Sequence, residues 1–257
     1  MSTRARTTIG ALLLGIVAFA IPTAAGAQPP HDPGEIGGRG FFLIGYQGLD
    51  LDPLNSRLSA AALPTASADF LTLGGAGFGT FGRLLVGGEG HAIIASDEAA
   101  ASGTMETRTS GGHGQFSLGY VVYSQRRFSI YPLFGIGGGA VTLDIVERGD
   151  ETFDDVLADP DRSARLTASG LLLDVSIGLE MRPGFGRAFA RRDGGFAIAV
   201  RGGYTFAPGD WEWTLHDKDD VFGGPDTGIE GFYVRVGVGG WGTRDDGGED
   251  RRRRQPR

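Results

Sequence analysis

Apolar and polar residues alternate along many short segments of this chain, and this alternation is the clearest sign of its structure. Between Gly170 and Arg182, every odd position holds leucine, valine, isoleucine or methionine, whereas most even positions hold a polar residue or glycine. A period of two residues predicts a β-strand with one apolar and one polar face. Residues 196–206 and 232–238 follow a similar pattern, so the chain is predicted to be rich in amphipathic strands.

Eight strands are predicted, and the connections between them alternate between long and short. The loops after the first, third, fifth and seventh strands have about 17, 15, 21 and 23 residues, whereas the other three connections have about 4, 4 and 12. Outer-membrane β-barrels combine long loops at one end with short turns at the other in this way. The alternating residues that identify these strands fall at about 38–52, 70–81, 83–94, 113–122, 128–145, 170–182, 196–206 and 232–238, with strand ends placed to within several residues.

The two faces of the predicted strands differ in charge, and this difference indicates which face points inward. One face carries leucine, valine, isoleucine and phenylalanine with almost no charge, whereas the other collects ionisable residues. An arginine that faces lipid at the membrane midplane costs about 2 to 4 kcal/mol, so the charged face is predicted to line the interior. The predicted interior polar network comprises Glu89, His91, Asp174, Glu180, Arg182, Arg201 and Arg235.

The predicted fold class is all-β: an eight-stranded, antiparallel, up-and-down transmembrane β-barrel with a filled polar interior. Closure is expected because every backbone amide in lipid needs a hydrogen-bond partner, and a closed barrel has no unpaired edge. Aromatic residues near the strand ends are expected to form girdles at the membrane interfaces. These aromatic residues are Phe78, Phe81, Tyr120, Tyr123, Phe128, Tyr131, Tyr204, Phe206, Trp211 and Trp213.

The start of the chain has the features of a cleaved Sec signal peptide, assigned to residues 1–27. Arg4 and Arg6 precede an apolar stretch of about 13 residues, and Ala25–Ala27 supplies small residues for cleavage. That stretch is shorter than the roughly 20 residues of a membrane-spanning helix. The remaining segments are predicted as an N-terminal linker (28–37), the barrel (38–242) and a disordered, charged periplasmic tail (243–257).

Composition narrows the class of protein further. Glycine accounts for 46 of 257 residues and falls inside the alternating segments, where it suits bends and close backbone approach. The chain has no cysteine, so neither a disulfide framework nor a lipoprotein anchor is possible. The formal charge of -7 becomes -9 when the two arginines of the signal peptide are removed. Nothing in this charge balance indicates a nucleic-acid partner.

In its architecture, the chain resembles the small eight-stranded outer-membrane barrels, the OmpA-like and OmpX-like group, over residues 38–241. The resemblance implies the outer membrane of a Gram-negative cell envelope, with outer-membrane lipid, lipopolysaccharide and the barrel-assembly machinery as partners, and a monomer is expected. Members of the group are structural proteins, adhesins, stress-related surface proteins or narrow channels. The chain departs from the group after Trp241, where a charged segment replaces the usual terminal aromatic.

A few local patterns suggest chemistry, but each has a simpler explanation. Residues 135–140 (GIGGGA) match part of a dinucleotide fingerprint, yet a strand-like segment follows where a helix is required. The acidic cluster 216–220 lacks the glycine and terminal glutamate of a calcium loop. His113 and Ser117 share a strand face, which happens by periodicity alone. No catalytic residue, metal or cofactor is therefore predicted.

The leading hypothesis is a non-enzymatic outer-membrane barrel with a structural or surface-interaction role, carried by four long extracellular loops. A narrow, porin-like channel for small solutes is an alternative, and it requires a water path past Glu89, Asp174, Arg201 and Arg235. A soluble lipocalin-like barrel would have its apolar face inside. A lipid-modifying barrel enzyme is the fourth possibility.

Overall fold

The computed structural model describes residues 36–95, 100–102, 105–125, 127–147, 163–183, 194–216 and 218–244. The predicted signal peptide lies outside the described residues, as do nearly all of the predicted linker and all but the first two residues of the predicted tail.

Within the described residues, the chain forms twelve strands and one helix. In chain order these are β1 (Ile36–Gly48), α1 (Asp52–Ala60), β2 (Asp69–Phe81), β3 (Leu84–Ala95), β4 (Ala100–Ser102), β5 (Met105–Tyr120), β6 (Tyr123–Gln125), β7 (Phe128–Glu147), β8 (Ser163–Met181), β9 (Gly194–Phe206), β10 (Glu212–Leu215), β11 (Asp219–Val221) and β12 (Gly231–Arg244).

Eight of these strands close into one antiparallel barrel. Each strand pairs with its neighbours in the order β1, β2, β3, β5, β7, β8, β9 and β12, and β12 returns to pair with β1. The closing pair brings Gly40 opposite Gly240 and Ile44 opposite Val236. Closure satisfies the backbone of every wall strand, as a structure in lipid requires. The predicted eight-stranded antiparallel barrel is confirmed.

The two ends of the barrel differ as the connection lengths predict. The turn end carries the two-residue turn 82–83, the β5–β7 connection with β6, and the start of β1 and the end of β12. Strand β8 ends and β9 begins at the turn end. The loop end carries the β1–β2, β3–β5, β7–β8 and β9–β12 connections, and α1, β4, β10 and β11 lie there. None of these four elements was predicted, and each falls in a segment that was predicted to be a long loop. Among the described residues, no helix is long and apolar enough to cross a membrane.

An apolar band surrounds the barrel. Outward side chains remain exposed although they are large and apolar, with Phe42 at 58% and Phe116 at 55%. The band extends along β2 from Leu71 to Phe81. Ten residues of a strand tilted by about 40° rise about 25 Å along the barrel axis, and this equals the height of the apolar band of outer-membrane barrels. Other exposed members are Ile44, Ile94, Leu118, Phe134, Ile136, Leu171, Val175, Ile177, Val200, Val236 and Val238.

The predicted aromatic girdles form only in part. Phe81 and Tyr120 face outward at the turn end, and Phe206 does so at the loop end. Four of the aromatic residues predicted to lie in the girdles are instead buried inside, because they occupy inward positions of the alternation or fold back from a loop. These are Phe78, Tyr131, Trp211 and Trp213.

The polarity of the two faces inverts near the loop end, and β8 shows this within one strand. From Leu171 to Met181, the outward side chains are apolar and the inward ones include buried Asp174 and Glu180. Between Ser163 and Ser169, the outward side chains are polar, whereas Ala168 is buried inside. The apolar band therefore ends between residues 169 and 171 of β8.

The wall beyond this boundary is part of a layer that resembles a small water-soluble domain. We call it the loop-end layer: α1, β4, β10 and β11 with residues 105–110, 140–147 and 163–169. On its outer face, Arg165 Nε donates to Asp144 Oδ1 at 2.7 Å. Its interior is an apolar cluster, the loop-end core, in which α1 buries Leu54 and Leu58 over the barrel mouth. Other members include Leu49, Leu51, Phe70, Ile93, Val141, Leu143, Leu172, Trp211, Trp213 and Ile229.

Glycine at position 178 is required by the packing of an aromatic ring inside the barrel. A Cβ atom at Gly178 would overlap with Cε2 of Tyr131, which is buried and opposite it on β7. Gly178→Ala is expected to lower the free energy of unfolding by about 1 to 3 kcal/mol. Gly77 faces outward with nothing within 4 Å of a Cβ, so Gly77→Ala is expected to be neutral or slightly stabilising. Urea unfolding of both variants in detergent measures the difference, and equal midpoints would contradict it.

Candidate functional site

The barrel interior brings together polar side chains from strands that are distant in sequence. Inward positions of β1, β3, β5, β9 and β12 meet at one level because neighbouring strands pair in register, for example Glu89 with Gln115 and Arg201 with Arg235. The resulting group contains carboxylate, amide, imidazole, hydroxyl and guanidinium groups. We call it the central network: Gln47, Glu89, His91, His113, Gln115, Ser117, Arg201, Thr205 and Arg235.

Glu89 is the acceptor at the centre of this network. Its side chain is 0% exposed, and Oε2 accepts a hydrogen bond from Nη1 of Arg201 at 2.5 Å. Its Oε1 accepts from Gln115 Nε2 at 2.8 Å and from Ser117 Oγ at 3.2 Å. Four hydrogen-bond acceptor positions on a buried carboxylate need several donors, and these side chains supply them.

Arg235 lies on the other side of the network and is also completely buried. Its Nη2 donates to Gln47 Oε1 at 3.2 Å and lies 3.3 Å from His113 Nε2, while Nη1 lies 3.1 Å from His91 Nε2. Because a guanidinium only donates, an imidazole nitrogen bonded to it must accept. The same His91 nitrogen lies 3.1 Å from Glu89 Oε2, so its tautomer selects which of the two it bonds.

A second polar group lies nearer the turn end. Glu180 accepts from Arg39 Nη1 through Oε2 and from Arg182 Nε through Oε1, both at 2.7 Å. Arg39 Nη2 also donates to Thr80 Oγ1 at 3.3 Å. The guanidinium of Arg182 lies over the indole of Trp241, 4.6 Å from the ring centre. One carboxylate therefore sits between two arginines, and we call this group the turn-end cluster.

All seven residues of the predicted network face the interior, but they do not form one connected group. Glu89, His91, Arg201 and Arg235 share the central network, whereas Glu180 and Arg182 belong to the turn-end cluster. Asp174 is 1% exposed, accepts from Ser176 Oγ at 3.1 Å, and has no ion pair among the described residues.

Several interior residues were missed by the sequence prediction. Arg39 was overlooked because glycine and apolar residues occupy both faces of the first strand, so its phase was not assigned. His113, Gln115 and Ser117 lie on the predicted polar face of the fourth strand, but they were not included in the predicted network. Gln47 sits near the end of the first strand, where the predicted boundary extended to residue 52.

Apolar side chains fill much of the remaining interior. A second buried cluster includes Phe41, Leu43, Phe78, Leu85, Tyr131, Leu133 and Ala199. Within the described residues, no group of three histidine, cysteine, aspartate or glutamate side chains is arranged to hold a metal ion. Glu89, His91 and Ser117 are buried among these layers.

A closed barrel with an apolar outer band and a packed interior that holds buried polar groups defines the transmembrane β-barrel class. The resemblance to small eight-stranded outer-membrane barrels rests on architecture, and the closed, eight-stranded, antiparallel barrel confirms it. No protein-family model and no curated protein matches the chain.

Three solved structures are similar to this chain at low identity. Ail, the attachment invasion locus protein of Yersinia pestis, has 11% identity and a TM-score of 0.42, with 83% of this chain and 100% of that chain covered. Neisserial surface protein A (NspA) has 10% identity and a TM-score of 0.41, with 81% and 98% covered. The outer membrane protease OmpT of Escherichia coli has 9% identity and a TM-score of 0.34, with 84% and 99% covered.

Proposed function

We propose that the protein is a non-enzymatic outer-membrane barrel that mediates interactions at the cell surface through its loop-end layer. The observation that carries this proposal is the inversion of polarity in β8. A wall that is apolar outside along one stretch and polar outside beyond it suits a protein that crosses lipid and then projects into water. The loop-end core gives the projecting part a defined surface.

The composition of the loop end supports a role in contacts with other molecules. Residues 207–230 contain seven acidic residues and one lysine, so this connection is strongly acidic. Phe222, after β11, is 93% exposed. Arg108 and Arg165 face outward just beyond the apolar band, where lipid phosphate groups would lie, which fits lipopolysaccharide as a neighbour.

The packed interior favours this role over that of a channel. The loop-end core, the central network and the turn-end cluster succeed one another along the lumen. Glu89, Asp174, Arg201 and Arg235, which a water path would have to pass, are all buried and bonded to neighbouring side chains. Liposomes that contain the purified barrel are expected to take up no more small solute than protein-free liposomes. Uptake above that level would favour the channel.

Location and orientation can be tested with single cysteines, because the chain has none of its own. Asp226 is exposed at the loop end and Gln125 is exposed at the turn end. In cells that express the full chain, Asp226→Cys is expected to react with a membrane-impermeant maleimide, whereas Gln125→Cys reacts only after the outer membrane is permeabilised. Labelling of neither variant on intact cells, or of Gln125→Cys alone, would overturn the proposed surface role.

A further inference from the structure

Among the described residues, the turn end of the barrel carries an excess of positive charge. Arg39, Arg83, Arg127 and Arg182 lie there, and Glu180 is the acidic residue that the described part of this end supplies. Arg39 and Arg182 are largely removed from water, with side chains 3% and 12% exposed. Two buried guanidinium groups that share one carboxylate leave one positive charge without a counterion among them.

A small cavity opens beside these two arginines. Its volume is about 10 Å³, which is the space that one water-sized group occupies. The residues around it come from β1, β2 and β12 and from the position after β8. They are Gly37, Gly38, Arg39, Thr80, Arg182, Trp241, Gly242 and Thr243.

The lining of this cavity offers hydrogen-bond donors and no carboxylate. Glu180 is absent from the lining, because it is fully buried behind the two arginines that bond its oxygens. Arg39 Nε is buried and has no hydrogen-bond partner among the described residues. Thr80 accepts from Arg39, so its own hydroxyl proton is free to be donated.

The stacking of Arg182 also favours recognition of an anion. Its Nε is bonded to Glu180, and its guanidinium plane lies over Trp241, which restricts the side chain to one orientation. The two terminal nitrogens of a guanidinium held in this way form a fork that matches carboxylate and phosphate oxygens.

From these features we infer that the turn-end mouth of the barrel is a binding site for a small oxyanion, a carboxylate or a phosphate group, held by Arg39 and Arg182 with Thr80. The cavity has room for one water-sized group, so one oxygen of the anion would enter it, and the rest of the anion and of any larger ligand would lie at the mouth, in the compartment that the turn end faces.

The full-length barrel, folded in uncharged detergent, can be titrated by calorimetry with inorganic phosphate and separately with acetate, at constant ionic strength. Trp241 lines the cavity, so its fluorescence provides a second signal. Saturable binding of one anion per barrel is expected. Binding of phosphate alone or of acetate alone would support the site and identify which oxyanion it takes, whereas no saturable binding of either would overturn it.

Variants of the cavity distinguish a built site from general attraction to a positive surface. Arg182→Gln removes charge-assisted hydrogen bonds and is expected to weaken binding by about tenfold or more. Arg182→Lys, which retains the charge, should have intermediate affinity. Arg127→Gln removes an exposed turn-end arginine that does not line the cavity, and its affinity should equal that of the wild type. Equal loss in Arg127→Gln and Arg182→Gln would overturn the inference. A heat-dependent gel shift confirms that each variant is folded.

Discussion

Replacing Glu89 by glutamine is expected to lower the free energy of unfolding of the barrel by about 3 to 5 kcal/mol. The substitution keeps the size of the side chain but removes its charge, so Arg201 and Arg235 lose the buried carboxylate that they share. The glutamine would also place an amide NH₂ group against one or more of the donors that now bond the carboxylate.

The effect can be measured by urea unfolding in detergent, with gel mobility before and after heating as the measure of the folded fraction. Glu212→Gln is the matched control, because Glu212 is an exposed glutamate at the start of β10. The double variant Glu89→Gln/Arg201→Gln should recover part of the loss, since it also removes one of the two uncompensated charges. An unchanged unfolding midpoint for Glu89→Gln would show that the central network does not hold the barrel together.

Replacing Leu54 by alanine is expected to destabilise the loop-end layer by about 2 to 5 kcal/mol while leaving the barrel wall folded. Leu54 is 3% exposed and packs α1 onto the loop-end core, so its loss leaves a cavity at the point where the helix covers the barrel. Arg57 is exposed on the same helix, and Arg57→Ala should change little.

Hydrogen exchange of the α1 amides measures this prediction. Exchange through local opening should accelerate by at least about tenfold in Leu54→Ala, because 1.4 kcal/mol corresponds to one factor of ten. The amides of β12 should be unaffected. If β12 exchanged faster to the same extent, the loop-end layer and the wall would unfold as one unit.

The barrel itself could be predicted because its wall strands follow a simple physical rule. Along β9 and β12, apolar positions alternate with polar, small or glycine positions, and lipid requires the apolar face to point outward. The same rule placed Glu89, Arg201 and Arg235 inside. The alternation does not give the position of each strand around the barrel. The division of the interior residues into the central network and the turn-end cluster therefore required the three-dimensional structure.

The loop-end layer could not be predicted for a related reason. In β8, apolar residues occupy even positions up to Ala168 and odd positions from Leu171 onward. A search for one continuous alternation therefore places the start of the strand at about residue 170, although the backbone continues to Ser163. Helix α1 has only nine residues, and its two buried leucines are stabilised by the barrel mouth rather than by the helix itself.

The outward face of strand β8 is apolar along one stretch, where it contacts lipid, and polar along the next, where it contacts water. This limits how the length of the strand can change. Side chains switch faces with every residue, so one inserted residue near Gly170 would rotate everything beyond it by half a turn. Arg165 would then point into the loop-end core and Leu166 into water. An insertion of two residues would keep every side chain on its present face and would only move the loop-end part of the β7–β8 hairpin farther from the apolar band. Length variation in this wall is therefore expected to be tolerated in steps of two residues.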